Sequence, residues 1–396
     1  MATADPISGL TAPADRSTGS LLVLLAPMAA EQLDSVLANL AASFPPESLV
    51  IAAPEQLSTD LYPSLRIVSV PGGKASMTLT AADFVNAYQL AEKQNARAIL
   101  MLGPEAGSLG SAAVCDLATT VLNTPTDLAI PYYHLPPNAG LVNSAILYPL
   151  ARALFASSAR FPLAIDLGLS IRMAERLARA AQRFAMTNPS EAQVWPVNES
   201  AIAGFAVHEV DVGPRALPQP IDADINTVLA QVTGSLFADI ELKAAFWQRA
   251  RRLALSRNPA PHTGSLDGAA DIASMLETFH LGYSNLQEIW SLVLPPNTLL
   301  GLKRLSAAAA AAFRMPENLW ARIVYDFLLA FRLRTINRGH LLGALIPLYL
   351  AWVATHINVI ASGVDPERHI EAVAAAFEAE KPYLVSRWRW PDRFNP

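Results

Sequence analysis

Five short apolar runs alternate with helix-patterned stretches over the first third of this chain, and that alternation limits the fold more than any other feature. The runs are Leu21-Leu-Val-Leu-Leu25, Leu49-Val-Ile-Ala-Ala53, Arg66-Ile-Val-Ser-Val70, Ala98-Ile-Leu-Met-Leu102 and Leu128-Ala-Ile-Pro-Tyr132. Helical spacing occupies Ala29 to Ala42, Thr80 to Gln94 and Leu109 to Leu122. Strands alternating with helices predict an α/β domain with a mostly parallel, Rossmann-like sheet covered on both faces. Ligands in such sheets bind beyond the carboxyl ends of the strands, so the loops after Ala26, Ala53, Val70 and Leu102 are where chemistry is expected.

From about Ile221 the pattern becomes helical throughout. Apolar-periodic runs at Asn226 to Leu255, Ala270 to Gly282, Ser284 to Leu294, Asn297 to Phe313, Glu317 to Arg334 and His340 to Ala361 are separated by Pro259, Pro261, Pro295, Pro296 and Pro316. A final helix is expected to open at Asp365 and to end at Lys381-Pro382. The resulting division is a flexible arm at 1–20, a sheet domain at 21–220 and an all-helical domain at 221–396. Leu341 to Val364 carries no Asp, Glu, Lys or Arg and is long enough to cross a bilayer. Pro347, His356 and Asn358 interrupt it, so it reads as a core helix and no membrane span is expected. The tail Arg387-Trp-Arg-Trp-Pro-Asp-Arg393 is expected to dock on the protein's own surface.

Composition removes several function classes. A net charge of -5 gives no electrostatic case for nucleic acid. Only 16% of residues are charged while 52% are hydrophobic, which is compatible with a broad apolar interface and a homo-oligomer. The single Cys115 excludes an intrachain disulfide and fits a reducing cytoplasm. The start lacks the basic and apolar stretches of a signal peptide. The seven histidines form no H-x-x-x-H pair, and most read as surface or satisfied core residues. No G-x-S-x-G elbow gives Ser170 a hydrolase context.

Two acids stand at helix entrances. Asp166 sits on a Gly168-bearing loop before Ser170, which is placed to cap the next helix, and Glu199 lies in the first turn of the helix that opens at Trp195-Pro. A carboxylate so placed can take a proton or orient a polyhydroxylated ligand, and it can equally be an ordinary first-turn acid favoured by the helix dipole. Pro71-Gly-Gly-Lys74 combines two glycines that allow close backbone approach with a lysine able to meet a phosphate; a plain turn accounts for it as well.

Tyr148-Pro-Leu-Ala-Arg152-Ala-Leu-Phe and Arg160-Phe-Pro-Leu-Ala-Ile-Asp166-Leu-Gly168-Leu-Ser170 resemble the acceptor-side region of bacterial family 2-like glycosyltransferases grouped near glucosylglycerate and mannosylglycerate synthases. Trp195-Pro-Val-Asn-Glu199, Val212-Gly-Pro-Arg215, Ala245-Phe-Trp-Gln-Arg249 and Trp320-Ala-Arg-Ile-Val-Tyr325 are similar too. The likeness implies a GT-A fold with a helical carboxyl-terminal extension. It puts Gly72, Gly73 and Lys74 at the loop for the nucleotide-sugar donor and Glu199 near a small hydroxyl acceptor of glycerate type.

It also implies a divalent ion, Mg or Mn, held by an Asp-x-Asp-like motif after the fourth strand and by a histidine after the strand ending near Gly213. The chain instead has Leu102-Gly-Pro104-Glu105, where Glu105 is the only acid, and Pro214-Arg215-Ala216-Leu217 without a histidine. Two readings follow. One is a hexosyltransferase with Glu199 or Asp166 as base and Arg215 or Lys74 in place of metal charge; the other is a degenerate member acting as a binding or scaffold module.

Overall fold

The computed structural model of the chain describes residues 21–54, 62–70, 76–163, 165–187, 193–217, 225–250 and 271–391. The expected arm at 1–20 and the loop holding Gly72, Gly73 and Lys74 lie outside the described residues. Strands β1 (Leu21–Leu25), β2 (Leu49–Pro54), β3 (Arg66–Val70), β4 (Ala98–Leu102) and β5 (Leu128–His134) form where the apolar runs place them. Helices α1 (Ala30–Ser43), α2 (Ala81–Gln94) and α3 (Ser111–Asn123) lie between them. The order continues with α4 (Tyr148–Phe155), β6 (Leu167–Ser170), α5 (Ile171–Thr187), α6 (Pro196–Ala203) and β7 (Val207–Pro214).

The strands make one sheet in the order β3-β2-β1-β4-β6-β5-β7. All neighbours are parallel except β6, which runs antiparallel to both β4 and β5. Side-chain alternation explains why the runs are apolar at every position. Leu21, Val23 and Leu25 pack with Val36 and Leu40 of α1 and Leu117 of α3, while Leu22 and Leu24 pack with Phe84 of α2 and Leu177 of α5. Local chemistry starts α2, where the Thr80 hydroxyl accepts from Asp83 N–H at 3.3 Å and Asp83 accepts from Thr80 N–H at 2.7 Å. The connections from β1 run to one side through β2 and β3, and β4 then returns on the other side, so the strand order reverses between β1 and β4, the switch point at which such sheets place ligands.

After β7 the chain is helical: α7 (Ile225–Leu242), α8 (Ala244–Trp247), α9 (Ile272–Asn285), α10 (Gln287–Val293), α11 (Pro296–Ser306), α12 (Glu317–Leu333), α13 (Arg338–Ala361) and α14 (Pro366–Arg389). Sheet domain followed by helical bundle is the arrangement that the GT-A-like reading calls for. The bundle core also takes in Leu150, Leu154 and Phe155 of α4, and Trp320 Nε1–H donates to Ala145 O at 2.8 Å. The charge-free run forms α13, with Leu341, Leu345, Leu348 and Trp352 inside the bundle. That burial is what a core helix requires. At the tail, Arg387 and Trp388 are buried, the Arg332 guanidinium lies 4.3 Å from the Trp388 ring centroid, and Trp390 is exposed.

Two local expectations are corrected. The Asp166 to Ser170 segment is not a loop beyond Asp166 but the strand β6, and Gly168 is required there because a Cβ would lie 2.5 Å from Leu117 O. Helix α14 does not end at Lys381-Pro382; it continues to Arg389. A proline inside a helix costs about 3 kcal/mol, and the turns beyond it are held by Tyr383 O–H donating to Asp326 at 2.7 Å, by the buried Arg387–Asp326 ion pair, and by burial of Leu384 and Trp388. Pro347 likewise lies within α13, accommodated by Gly282 of α9, where a Cβ would sit 2.7 Å from Pro347 Cβ.

Candidate functional site

The carboxyl edge of β4, β5 and β7 converges on Asp166. This residue immediately precedes β6, which wedges between β4 and β5 and so carries the carboxylate into the sheet edge. Asp166 Oδ1 accepts from Gly103 N–H at 3.1 Å and from Arg215 Nη2–H at 3.2 Å. Oδ2 accepts from Tyr133 O–H at 2.8 Å and from Arg215 Nε–H at 2.9 Å. A carboxylate offers about four acceptor positions, and all of them are taken. Neither the Asp166 nor the Arg215 side chain reaches solvent.

Arg215, one residue past β7, spends its remaining donors on the backbone around it. Nη2–H donates to Pro104 O at 2.6 Å, and Nη1–H donates to Ala216 O at 2.7 Å and to Ser108 Oγ at 3.2 Å. The guanidinium therefore ties the loop after β4 to β6 and to the segment after β7. Gly103 permits this closeness, since a Cβ there would lie 2.6 Å from Ile165 O. Glu105 takes a left-handed backbone, φ 62°, which is uncommon outside glycine. Burial first, and then the Asp166 charge, hold the Tyr133 phenol well above its ordinary pKa, so it stays a donor.

The residues present do not fit the divalent ion that the resemblance implies. Glu105 is the only acid on the loop after β4, Asp166 has no acceptor position left, and a guanidinium lies against that loop. Among the described residues no group of three or more His, Cys, Asp and Glu could hold a metal ion.

Glu199 occupies a second, separate centre. It lies in the first turn of α6, which opens with Pro196, and it is buried. Oε1 is 2.9 Å from Lys243 Nζ and Oε2 is 2.8 Å from Arg176 Nε of α5. Lys243 also pairs with the buried Asp239 of α7, which accepts from Asn198 Nδ2–H at 2.8 Å. Burial raises the pKa of Glu199, but Lys243 and then Arg176 outweigh it and hold the carboxyl below its usual range. For Asp239 burial wins over Lys243 and the pKa is raised. Among the described residues the Asp166 and Glu199 networks share no hydrogen-bond or ion-pair partner.

Ser170 caps α5 by accepting from Met173 N–H at 3.3 Å, and its hydroxyl donates to Asp127. The sequence reading passed over three residues at this edge. Tyr133 carries no motif and is found only through the strand register. His134 and Asp211, at the carboxyl ends of β5 and β7, approach to 2.9 Å with Asp211 largely exposed; no linear spacing connects them.

No family model and no curated protein matches the chain. Among solved structures it is similar to glucosyl-3-phosphoglycerate synthase from Mycobacterium tuberculosis in complex with Mn2+, UDP and glucosyl-3-phosphoglycerate. The identity is 12%, the TM-score 0.37, and the match covers 56% of this chain and 79% of that one. The same synthase in complex with Mg2+ and UDP gives 15% identity and a TM-score of 0.38 over 56% and 79% of the two chains. A mycobacterial protein gives 14% and 0.38 over 56% and 74%. At these values the likeness carries no argument about activity, and the chain's own residues must carry it.

Proposed function

We propose that the chain is a glycosyltransferase-like protein that binds a nucleotide sugar at the carboxyl edge of β1 to β4 and works there as a binding module. The observation that carries this reading is the saturated Asp166–Arg215 pair. Transfer from a nucleotide sugar needs positive charge on the departing diphosphate and a base for the acceptor hydroxyl. Here a guanidinium is spent on an internal carboxylate, and the two acids suited to act as base are each pinned by cations. Binding asks for less. The reversal of strand order between β1 and β4 supports it, and Gly72, Gly73 and Lys74 supply the backbone and charge for a phosphate in this proposal. A glycerate-type hydroxyl compound is the second ligand, and a reducing cytoplasm the setting, by the same reading.

The active alternative draws on one observation. Glu199 is held ionised, and its Arg176 partner is partly exposed, so a base lies near solvent in the α5–α6 corner. A thermal-shift screen of UDP- and GDP-sugars in EDTA separates the readings when paired with a transfer assay. Binding without turnover supports the module; turnover that disappears in Glu199→Gln supports the transferase. Absence of any nucleotide-sugar shift removes both.

A further inference from the structure

Two histidines outside the sheet edge are buried face to face. His356, on the inner side of α13, and His369, in the second turn of α14, bring their Nδ1 atoms to 2.7 Å. The rings stack at 5.0 Å between centroids and continue onto Trp352, whose ring centroid lies 5.2 Å from that of His356. His356 Nε2 is 3.3 Å from Pro137 O, in the segment that leaves β5, and His369 Nε2 is 3.9 Å from Glu317 Oε1 at the start of α12. The charged groups that act on the pair are Glu317 and Arg314 beside α12, Arg160 before β6, and Glu367 on α14.

The proton positions follow from the partners. A carbonyl only accepts, so His356 Nε2 carries a hydrogen and, in the neutral ring, His356 Nδ1 is an acceptor. His369 Nδ1–H must then be the donor across the 2.7 Å contact. The one lone pair left is His369 Nε2, which faces a carboxylate. A first added proton can settle there and keep the Nδ1–H···Nδ1 bond intact. A second would have to go onto His356 Nδ1, setting two N–H groups against each other in a buried site.

We propose that the His356–His369 pair is a proton-operated latch: it accepts one proton, and a second, arriving from solvent on His356 Nδ1, breaks the bond and frees the first turns of α14 from α13 and from the segment after β5. The proton affinities agree with the geometry. Burial first, then His369, lower the pKa of His356 to about 3, and burial lowers that of His369. Both rings are favoured neutral by folding, so their contribution is complete above the unfolded value of about 6.5 and is lost as pH falls below it.

The test is urea unfolding of the full chain between about pH 6.5 and 4.5, above the range in which carboxylates with lowered pKa lose their contribution. Each histidine kept neutral is expected to add about a tenfold rise per pH unit to the unfolding constant of the wild type, against the opposite contribution of the buried Asp326 carboxyl, whose raised pKa favours the folded state as pH falls. His356→Gln keeps an amide donor for Pro137 O and an acceptor for His369 but cannot titrate. It should match the wild type at pH 7.5 and show about tenfold less rise per pH unit. An unchanged slope overturns the latch. Should that variant fail to fold, ring 15N resonances of the wild type decide: His356 neutral at pH 5 with a proton shared between the Nδ1 atoms supports it, and titration of both rings near 6.5 overturns it.

Discussion

Replacing Arg215 by methionine removes the only cation against Asp166 among the described residues while keeping much of the side-chain volume. The carboxylate would be left without solvent contact and with two of its four donors, Tyr133 O–H and Gly103 N–H. Stranding one member of a buried pair costs about 3–5 kcal/mol, and the surviving hydrogen bonds place Arg215→Met near the lower end, about 3 kcal/mol. Pro104 O and Ala216 O also lose donors, so the loop after β4 should loosen. Asp166→Asn should cost a similar amount by leaving the guanidinium unpaired. The double variant should recover about 2 kcal/mol relative to the sum, because neither charge then remains alone. Urea unfolding at pH 7 with equal slopes for all four proteins provides the cycle. Single variants costing under about 1 kcal/mol, or strict additivity, would refute the claim that this pair is a desolvated unit.

Other consequences can be measured independently. Glu199→Gln removes the charge between Lys243 and Arg176, and should destabilise by about 1–3 kcal/mol at pH 7. The lowered pKa means that this stabilisation is present above the unfolded value of about 4.5 and is lost as pH falls below it, so wild type and variant should converge in acid. Gly168→Ala puts a Cβ 2.5 Å from Leu117 O, a backbone atom that cannot step aside cheaply. A loss of about 1–3 kcal/mol in unfolding free energy is expected, and an unchanged melting temperature would contradict the close packing of α3 on β6. If Lys74 meets the nucleotide as proposed, Lys74→Ala should weaken nucleotide binding by about 1–3 kcal/mol and leave folding unaltered; equal affinities by calorimetry would remove Lys74 from the proposed site.

The sheet was legible in the sequence because β1, β2 and β4 are covered on both faces, so every position is apolar and no polar alternation obscures the run. β6 was not, since four residues containing Gly168 have neither length nor pattern, and only the register shows that Leu167-Gly-Leu-Ser170 is a strand. Helix α14 was cut short at Pro382 because the local penalty is visible in the sequence, whereas the Asp326–Arg387 pair that outweighs it joins residues in different helices. The site divides the same way. Asp166 and Glu199 could be picked out as acids with helix-entrance chemistry, but their cations lie far off in the chain, Arg215 for Asp166 and Arg176 and Lys243 for Glu199. Ser170 read correctly as a cap because capping is a three-residue matter.

The most direct measurement of the central claim is calorimetric titration of UDP- and GDP-sugars into the wild-type chain, first in EDTA and then with added Mn2+, with donor hydrolysis and transfer to a small hydroxyl acceptor followed in the same samples. The account predicts saturable binding of a nucleotide sugar with the same affinity in both conditions and no turnover in either. Turnover that appears with Mn2+ would contradict it, as would the absence of nucleotide-sugar binding altogether.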